Sequence, residues 1–302
     1  MVDKCDYYFD GELQETQGYV LNIAERANAL ERAVRLHQDY FVKMDYVPEK
    51  LYLVCETPDK FHIAINDKAV TIGSEGYFVD KSFQKVEVSK YFALGENKIS
   101  FDCLFEQSEE FYQNRRNAQI FEGEKNKLVY DMEIEPIYLL GDFQVRTDGM
   151  WSDLERSAVR FEGEFVIDKP RKEIKCKHME QQGYPFFCGE LALEGQLDIK
   201  GDNPVLQIDW KGINALKVEI NGKEKVMLTN DRLSLKEFGV QGVVPVKFTL
   251  INNLRNLLGP HHLEAGESHF VGPHNFYKEP CLWNDNQEID WNDNYCFVAM
   301  GI

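Results

Sequence analysis

The sequence predicts an all-β protein built as two β-sandwich modules with a few short helices. Three observations predict it: short runs of alternating apolar and polar residues, turn residues between those runs, and an internal repeat of one strand with its hairpin. In order along the chain, 51–55, 61–65 and 98–104 read as strands of a first module. Residues 137–140, 161–167, 205–210, 216–220 and 246–251 do the same in a second. Two stretches carry helical spacing. Ile23, Ala27, Leu30 and Val34 recur every three to four residues, and 109–120 follows Ser108, a residue type that caps helix starts.

The repeat organises the chain. Phe61-His62-Ile63-Ala64-Ile65-Asn66-Asp67-Lys68 is echoed by Leu216-Lys217-Val218-Glu219-Ile220-Asn221-Gly222-Lys223. Each copy ends in residues that tolerate positive φ, as a two-residue hairpin requires. A lone hairpin is not stable in water, so each copy implies a sandwich around it. The expected boundary follows the polar stretch 122–127, near Glu133 to Pro136, giving modules 1–135 and 136–302.

Composition narrows the function. The 302 residues carry 34 Lys+Arg against 51 Asp+Glu, a formal charge of −17. A binder of nucleic acid or of an anionic membrane needs a cationic footprint, and no basic tract supplies one. The apolar run 243–251 is interrupted by Pro245 and Lys247 and is far shorter than the roughly 20 residues that span a bilayer. Asp3, Asp6, Asp10, Glu12 and Glu15 occupy the place a secretory leader would give to a basic and then apolar region. The seven cysteines show no C-x-x-C spacing, and an odd number cannot pair completely. With no Asn-x-Ser/Thr sequon, the expectation is a cytoplasmic protein with reduced thiols, Cys55 and Cys103 acting as small core hydrophobes.

The string Asn253-Leu254-Arg255-Asn256-Leu257-Leu258-Gly259-Pro260-His261-His262 resembles a signature in the non-catalytic C-terminal part of large bacterial glycoside hydrolases. The family is of the α-L-rhamnosidase and β-galactosidase-like type. Tyr138-Leu139-Leu140-Gly141-Asp142-Phe143-Gln144-Val145, Gln182-Gly183-Tyr184-Pro185-Phe186-Phe187-Cys188-Gly189 and the first hairpin leading to Gly95-Glu96-Asn97 resemble other landmarks of that region, in the same order. The resemblance covers most of the chain from about Cys5. It implies two galactose-binding-like jelly rolls that bind an oligosaccharide or glycoside, or that support the active site of a parent hydrolase's catalytic domain. A catalytic (β/α)₈ barrel takes roughly 250 residues of alternating strand and helix, for which this chain has neither room nor pattern. A structural Ca²⁺ is common in such folds. Asp285, Asp290 and Asp293 are the densest acidic set in a loop, but lack an EF-hand's Gly and terminal Glu.

Sugar recognition pairs an aromatic face with amides, carboxylates and Arg that satisfy hydroxyls. Trp283-Asn284-Asp285-Asn286 recurs eight residues later as Trp291-Asn292-Asp293-Asn294, and places both chemistries together twice. Tyr184, Phe186 and Phe187 form a second aromatic group, while Arg255, Asn256, His261 and His262 form a polar loop. Beside each binding role stands a packing role: tryptophans plugging a sandwich, and the polar loop fixing the chain after Ile251. His261, His262, His269 and His274 lie close in sequence with Glu264 and Glu267, yet their spacing matches no zinc motif and the metal stays unassigned. Glu133 and Glu135 face one side at i and i+2, the minimum for a hydrolytic carboxylate pair, but the module boundary promises no cleft. No Ser/His/Asp arrangement or phosphate loop appears. The expected function is a non-catalytic carbohydrate-binding region of a glycoside hydrolase; the competing expectation is a scaffold or subunit-interaction module that binds no sugar.

Overall fold

In the computed structural model, described at every residue except Ser74 and residues 285–287, the chain opens with strands β1 (Lys4–Phe9) and β2 (Glu12–Tyr19). Helix α1 (Val20–Asn28) and strand β3 (Val34–Met44) follow. In β3, Val34, Leu36, Gln38, Tyr40, Val42 and Met44 point inward and the residues between them do not, which is the period of two a half-buried strand needs. All eleven residues of β3 pair antiparallel with β9 (Gly95–Phe105). That pairing starts at Val34 and takes it out of the predicted helix, which ends at Asn28 and leaves Leu30 exposed.

Strands β4 (Leu51–Glu56), β5 (His62–Ile65), β6 (Lys68–Ala69), β7 (Tyr77–Phe78) and β8 (Asp80–Glu87) lie between β3 and β9. After β9 come helix α2 (Glu109–Ala118) and strand β10 (Tyr138–Gly141). Two sheets result: β2-β1-β3-β9-β5-β6 and β10-β4-β8-β7. Tyr7, Leu36 and Phe101 of the first pack with Leu53, Val86 and Leu139 of the second in one core, against which α1 buries Val20, Ile23 and Ala27. The fold is therefore all-β, with antiparallel sheets and short helices. Ser108 caps α2 as its sequence suggests, its Oγ accepting from Phe111 N at 3.3 Å.

The repeated hairpins have the backbone their residues predict. Asn66 and Asp67 sit at φ 50° and 62°, and Asn221 and Gly222 at 52° and 68°, the double positive φ of a type I′ turn. The first hairpin is tied to the buried Asn97. Asn66 Nδ2 donates to Asn97 Oδ1 at 2.8 Å, and Asn97 holds both the N–H (2.9 Å) and the C=O (2.8 Å) of Ala93. Asn97, at the end of the run Gly95-Glu96-Asn97, is thus a buried amide clamp joining two turns.

The chain divides into two compact units. The first comprises Met1–Arg146, Phe165–Pro170 and Val271–Trp291; the second comprises Thr147–Glu164, Arg171–Phe270 and Asn292–Ile302. Strands β11 (Gln144–Asp153) and β12 (Ala158–Asp168) run through the first two points of division. The second unit is built on β13 (Gly189–Ile199), β14 (Val205–Gln207), β15 (Ala215–Ile220), β16 (Lys223–Met227), β17 (Arg232–Ser234) and β18 (Gly242–Asn252). They form the antiparallel sheet β13-β18-β15-β16 and the ribbon β14-β17. Ile199, Leu216, Val218, Ile220, Phe238, Val246 and Leu250 make its core, with Leu206 and Leu233 of the ribbon packed on it. Helix α3 (Arg255–Leu258) and the final strand β19 (Tyr295–Val298), which pairs with β12, complete it. All seven thiols are free, and burial pushes those of Cys5, Cys55 and Cys103 up to about 12, so they stay protonated packing groups. Among the described residues no helix is long and apolar enough to cross a membrane.

Candidate functional site

The sequence-predicted polar loop of the second unit is used internally. Arg255 is a helical residue whose guanidinium lies against Glu267: Nε is 3.1 and 3.0 Å from the two carboxylate oxygens, and Nη2 is 2.9 Å from one of them. Asn256 donates from Nδ2 to Val298 O at 2.9 Å and accepts at Oδ1 from Val298 N at 2.9 Å, so its amide replaces a neighbouring strand for β19. His261 Nε2 meets Asn256 O at 3.0 Å, and His262 Nδ1 lies 3.0 and 3.1 Å from the carbonyls of Asn292 and Asn294. A ring nitrogen facing a carbonyl carries its proton, so neither of these nitrogens is a free metal ligand. Gly259 sits at φ 92°, and a Cβ there would lie 2.8 Å from His261 Nδ1, which is why the turn into the two histidines takes glycine. Arg255, Asn256 and Glu267 line a cavity of about 210 Å³ with Asn214, Asn252, Asn253, Ile213 and Val298, and no aromatic residue lines it.

Tyr184 is half-buried on the core of the second unit, its ring edge-on to Phe187 at 5.9 Å. The two repeated tryptophans belong to the first unit. Trp291 packs edge-on against buried Tyr19 at 4.5 Å. Among the described residues no three His, Cys, Asp or Glu side chains group to hold a metal ion. Asp285 and Asn286 lie outside the described residues, and with them parts of the acidic set and of the first Trp-Asn-Asp-Asn repeat.

Trp283 stands in a different setting. With Tyr130 and Tyr277 it walls a cavity of about 220 Å³ in the first unit, floored by Leu21 and Ala24 of α1. The chain that closes it is extended ahead of Pro136, and Met132, Ile134 and Ile137 drop into the core. Glu133 and Glu135 line the cavity together with Ile134. The boundary segment, expected to offer no cleft, thus forms one wall of a cleft. Its depth comes from 271–291, which returns to the first unit and brings Pro273, Tyr277 and Trp283.

The electrostatics of this cavity are one-sided. Burial pushes the Glu135 carboxyl up to about 8, and the like charges of Glu56 and Glu133 add to the effect. Glu133 is also raised, by burial and then by Glu56, with Lys60 opposing. Burial holds Tyr130 up to about 12 and raises Tyr277, so both phenols are neutral. Glu25 is compensated by Arg115 at 3.2 Å, each side chain 12% exposed. Near pH 7 Glu135 therefore carries its proton and can donate a hydrogen bond. Lys125 Nζ lies 5.8 Å from the Trp283 ring centroid. Of these residues the sequence pattern points to Trp283 and the Glu133/Glu135 pair; Tyr130, Tyr277 and Glu25 carry no local signal.

No protein-family model matches the chain, and no curated protein does. Among solved structures the chain is similar to a β-D-mannosidase from Dictyoglomus thermophilum, at 13% identity and a TM-score of 0.29. The match covers 91% of this chain and 32% of the mannosidase, so the chain spans about a third of that enzyme's length. It is also similar to the pilus backbone of Streptococcus pneumoniae, at 10% identity and a TM-score of 0.23, over 82% of each chain. At these scores neither likeness bears on function.

Proposed function

We propose that the chain is a non-catalytic carbohydrate-binding region of a glycoside-hydrolase-like protein, and that sugar is held in the Trp283 cavity. The observation that carries this reading is the combination, in one cavity lining, of the aromatic residues Tyr130, Tyr277 and Trp283 with the carboxyls of Glu133 and Glu135. Pyranose rings present an apolar face to an aromatic ring and hydroxyls at the edge, and those hydroxyls need both a donor and an acceptor. The volume is small beside the roughly 300–1,000 Å³ of drug-sized pockets, which suits one sugar unit at a chain end. The order of the hydrolase-like landmarks in the sequence supports an oligosaccharide or glycoside as ligand and a catalytic domain as partner. The seven unpaired thiols support a cytoplasmic setting.

Titration of the purified chain with rhamnose-, galactose- and xylose-containing oligosaccharides, with EDTA and again with added Ca²⁺, tests the reading. Saturable binding is expected with at least one of them. Trp283→Ala is expected to weaken it about tenfold or more, since an aromatic contact contributes about 0.5–1.5 kcal/mol beyond its buried area. Trp291→Ala, which removes a packing contact to Tyr19, is expected to lower the melting temperature instead. A flat response across the panel would favour the scaffold reading. A specific feature favours that reading too: Ile120, Phe121 and Val129 stand 70%, 67% and 76% exposed within ten residues of chain.

A further inference from the structure

We infer that the ligand of the Trp283 cavity carries a protonated amine, as an amino sugar does, and that this amine sits against Glu133 and Glu135 within the rings of Tyr130, Tyr277 and Trp283. The inference rests on the carbohydrate reading above and names the class of sugar.

The other half-buried carboxylates have cations of their own: Glu25, in the same cavity lining, pairs with Arg115 at 3.2 Å, and Glu279, elsewhere in the first unit, pairs with Arg26. Glu135 has no hydrogen bond or ion pair to any described residue, although it lines the cavity only partly exposed. The titratable groups that face it are Glu56 of β4, Glu133 on its own segment, Tyr138 of β10, Tyr19 of β2 and Tyr277. All are acids. Lys60, the cation nearest Glu133, donates its Nζ to the Asp131 carbonyl at 2.5 Å. Three aromatic residues and two carboxyls that have no ion pair to a described residue, sharing one cavity lining, suit an ammonium group, because ring faces and carboxylates attract the same charge. The Trp283 ring already has Lys125 Nζ 5.8 Å from its centroid. A neutral sugar would satisfy hydrogen bonds here but would leave Glu135 held in its protonated form beside Glu56 and Glu133.

The sign of the pH dependence separates the two kinds of ligand. A neutral sugar that accepts a hydrogen bond from protonated Glu135 binds less well as pH rises. An ammonium group favours the carboxylate, expels the Glu135 proton to solvent, and binds better as pH rises while its own proton is retained.

The experiment is calorimetry of the intact chain with D-glucosamine and D-galactosamine, their N-acetyl forms, the parent hexoses and tetramethylammonium. The amino sugars are expected to bind at least about tenfold tighter than the N-acetyl forms, with affinity rising toward about tenfold per unit between about pH 5.5 and 7. Glu135→Gln is expected to abolish that rise. Glu133→Gln, at the more exposed position, should weaken amino-sugar binding and carries the test if the first variant does not fold. N-acetyl or parent sugars binding equally well, or affinity falling with pH, would overturn the amine and leave the carbohydrate reading standing. Tetramethylammonium binding without any sugar would overturn the carbohydrate reading and keep the cation site. Binding by none of the probes would overturn both.

Discussion

Glu135→Gln is expected to stabilise the first unit, and to do so more as pH rises. The folded protein holds the Glu135 proton up to about 8, against an ordinary carboxyl value of 4.5, so the folded state binds a proton that the unfolded state has released. Stability from this group is complete below about 4.5 and declines as pH rises through that window, because the chain must either keep the proton or bury the charge. Glutamine keeps the shape and never ionises. The gain over wild type near pH 8 should be about 3 kcal/mol, after allowance for the carboxyl's partial contact with water. For a unit of this size that is roughly 6–12 °C in melting temperature. Thermal melts of both proteins at several values between about pH 4.5 and 8 check it: the two curves should converge at the acid end and separate at the alkaline end. Parallel curves would mean that Glu135 meets a cation or water on folding, and the ammonium site would lose its basis. A stabilising substitution at a lining residue is what a site kept for binding rather than for stability predicts.

The second large effect lies in the other unit. Arg255→Ala is expected to cost about 3 kcal/mol, because Glu267 and the cavity beside it lose the guanidinium that neutralises them while still partly buried. The double variant Arg255→Met with Glu267→Leu should recover most of that loss, since an apolar pair of similar volume has no charge to desolvate. Denaturant unfolding of the single and double variants measures the coupling directly. If Arg255→Ala left stability unchanged but removed sugar binding, the ligand would belong in the Asn253–Glu267 loop and not at Trp283. The hydrogen bonds argue for the first outcome: Arg255 is spent on Glu267, Asn256 on Val298, and His261 and His262 on carbonyls.

Strand periodicity carried most of the fold. Strands β4, β5 and β9 and the paired Asn66 and Asn221 turns were legible because alternation and positive-φ residues are local properties, whereas β3, which alternates as regularly, was not read as a strand. Helix α1 shows the limit. Leu30 and Val34 continue its spacing, yet Val34 is claimed by eleven residues of pairing with β9, and tertiary pairing outweighs a weak local preference. The site divides in the same way. Trp283 was visible as a ring beside amides, and Glu133 with Glu135 as an i, i+2 pair. Tyr130 and Tyr277 were not, since only the return of 271–291 to the first unit makes them neighbours, and strand periodicity has no mark for such a return.

The most direct test of the central claim is to watch the four tryptophan indole N–H signals by NMR, assigned by single Trp→Phe variants, while the sugar panel is titrated in. A bound sugar is expected to shift the Trp283 signal saturably, with little change at Trp151 and Trp210. A ligand that moved only Trp151 or Trp210, or bound tightly while Trp283 stayed still, would contradict it.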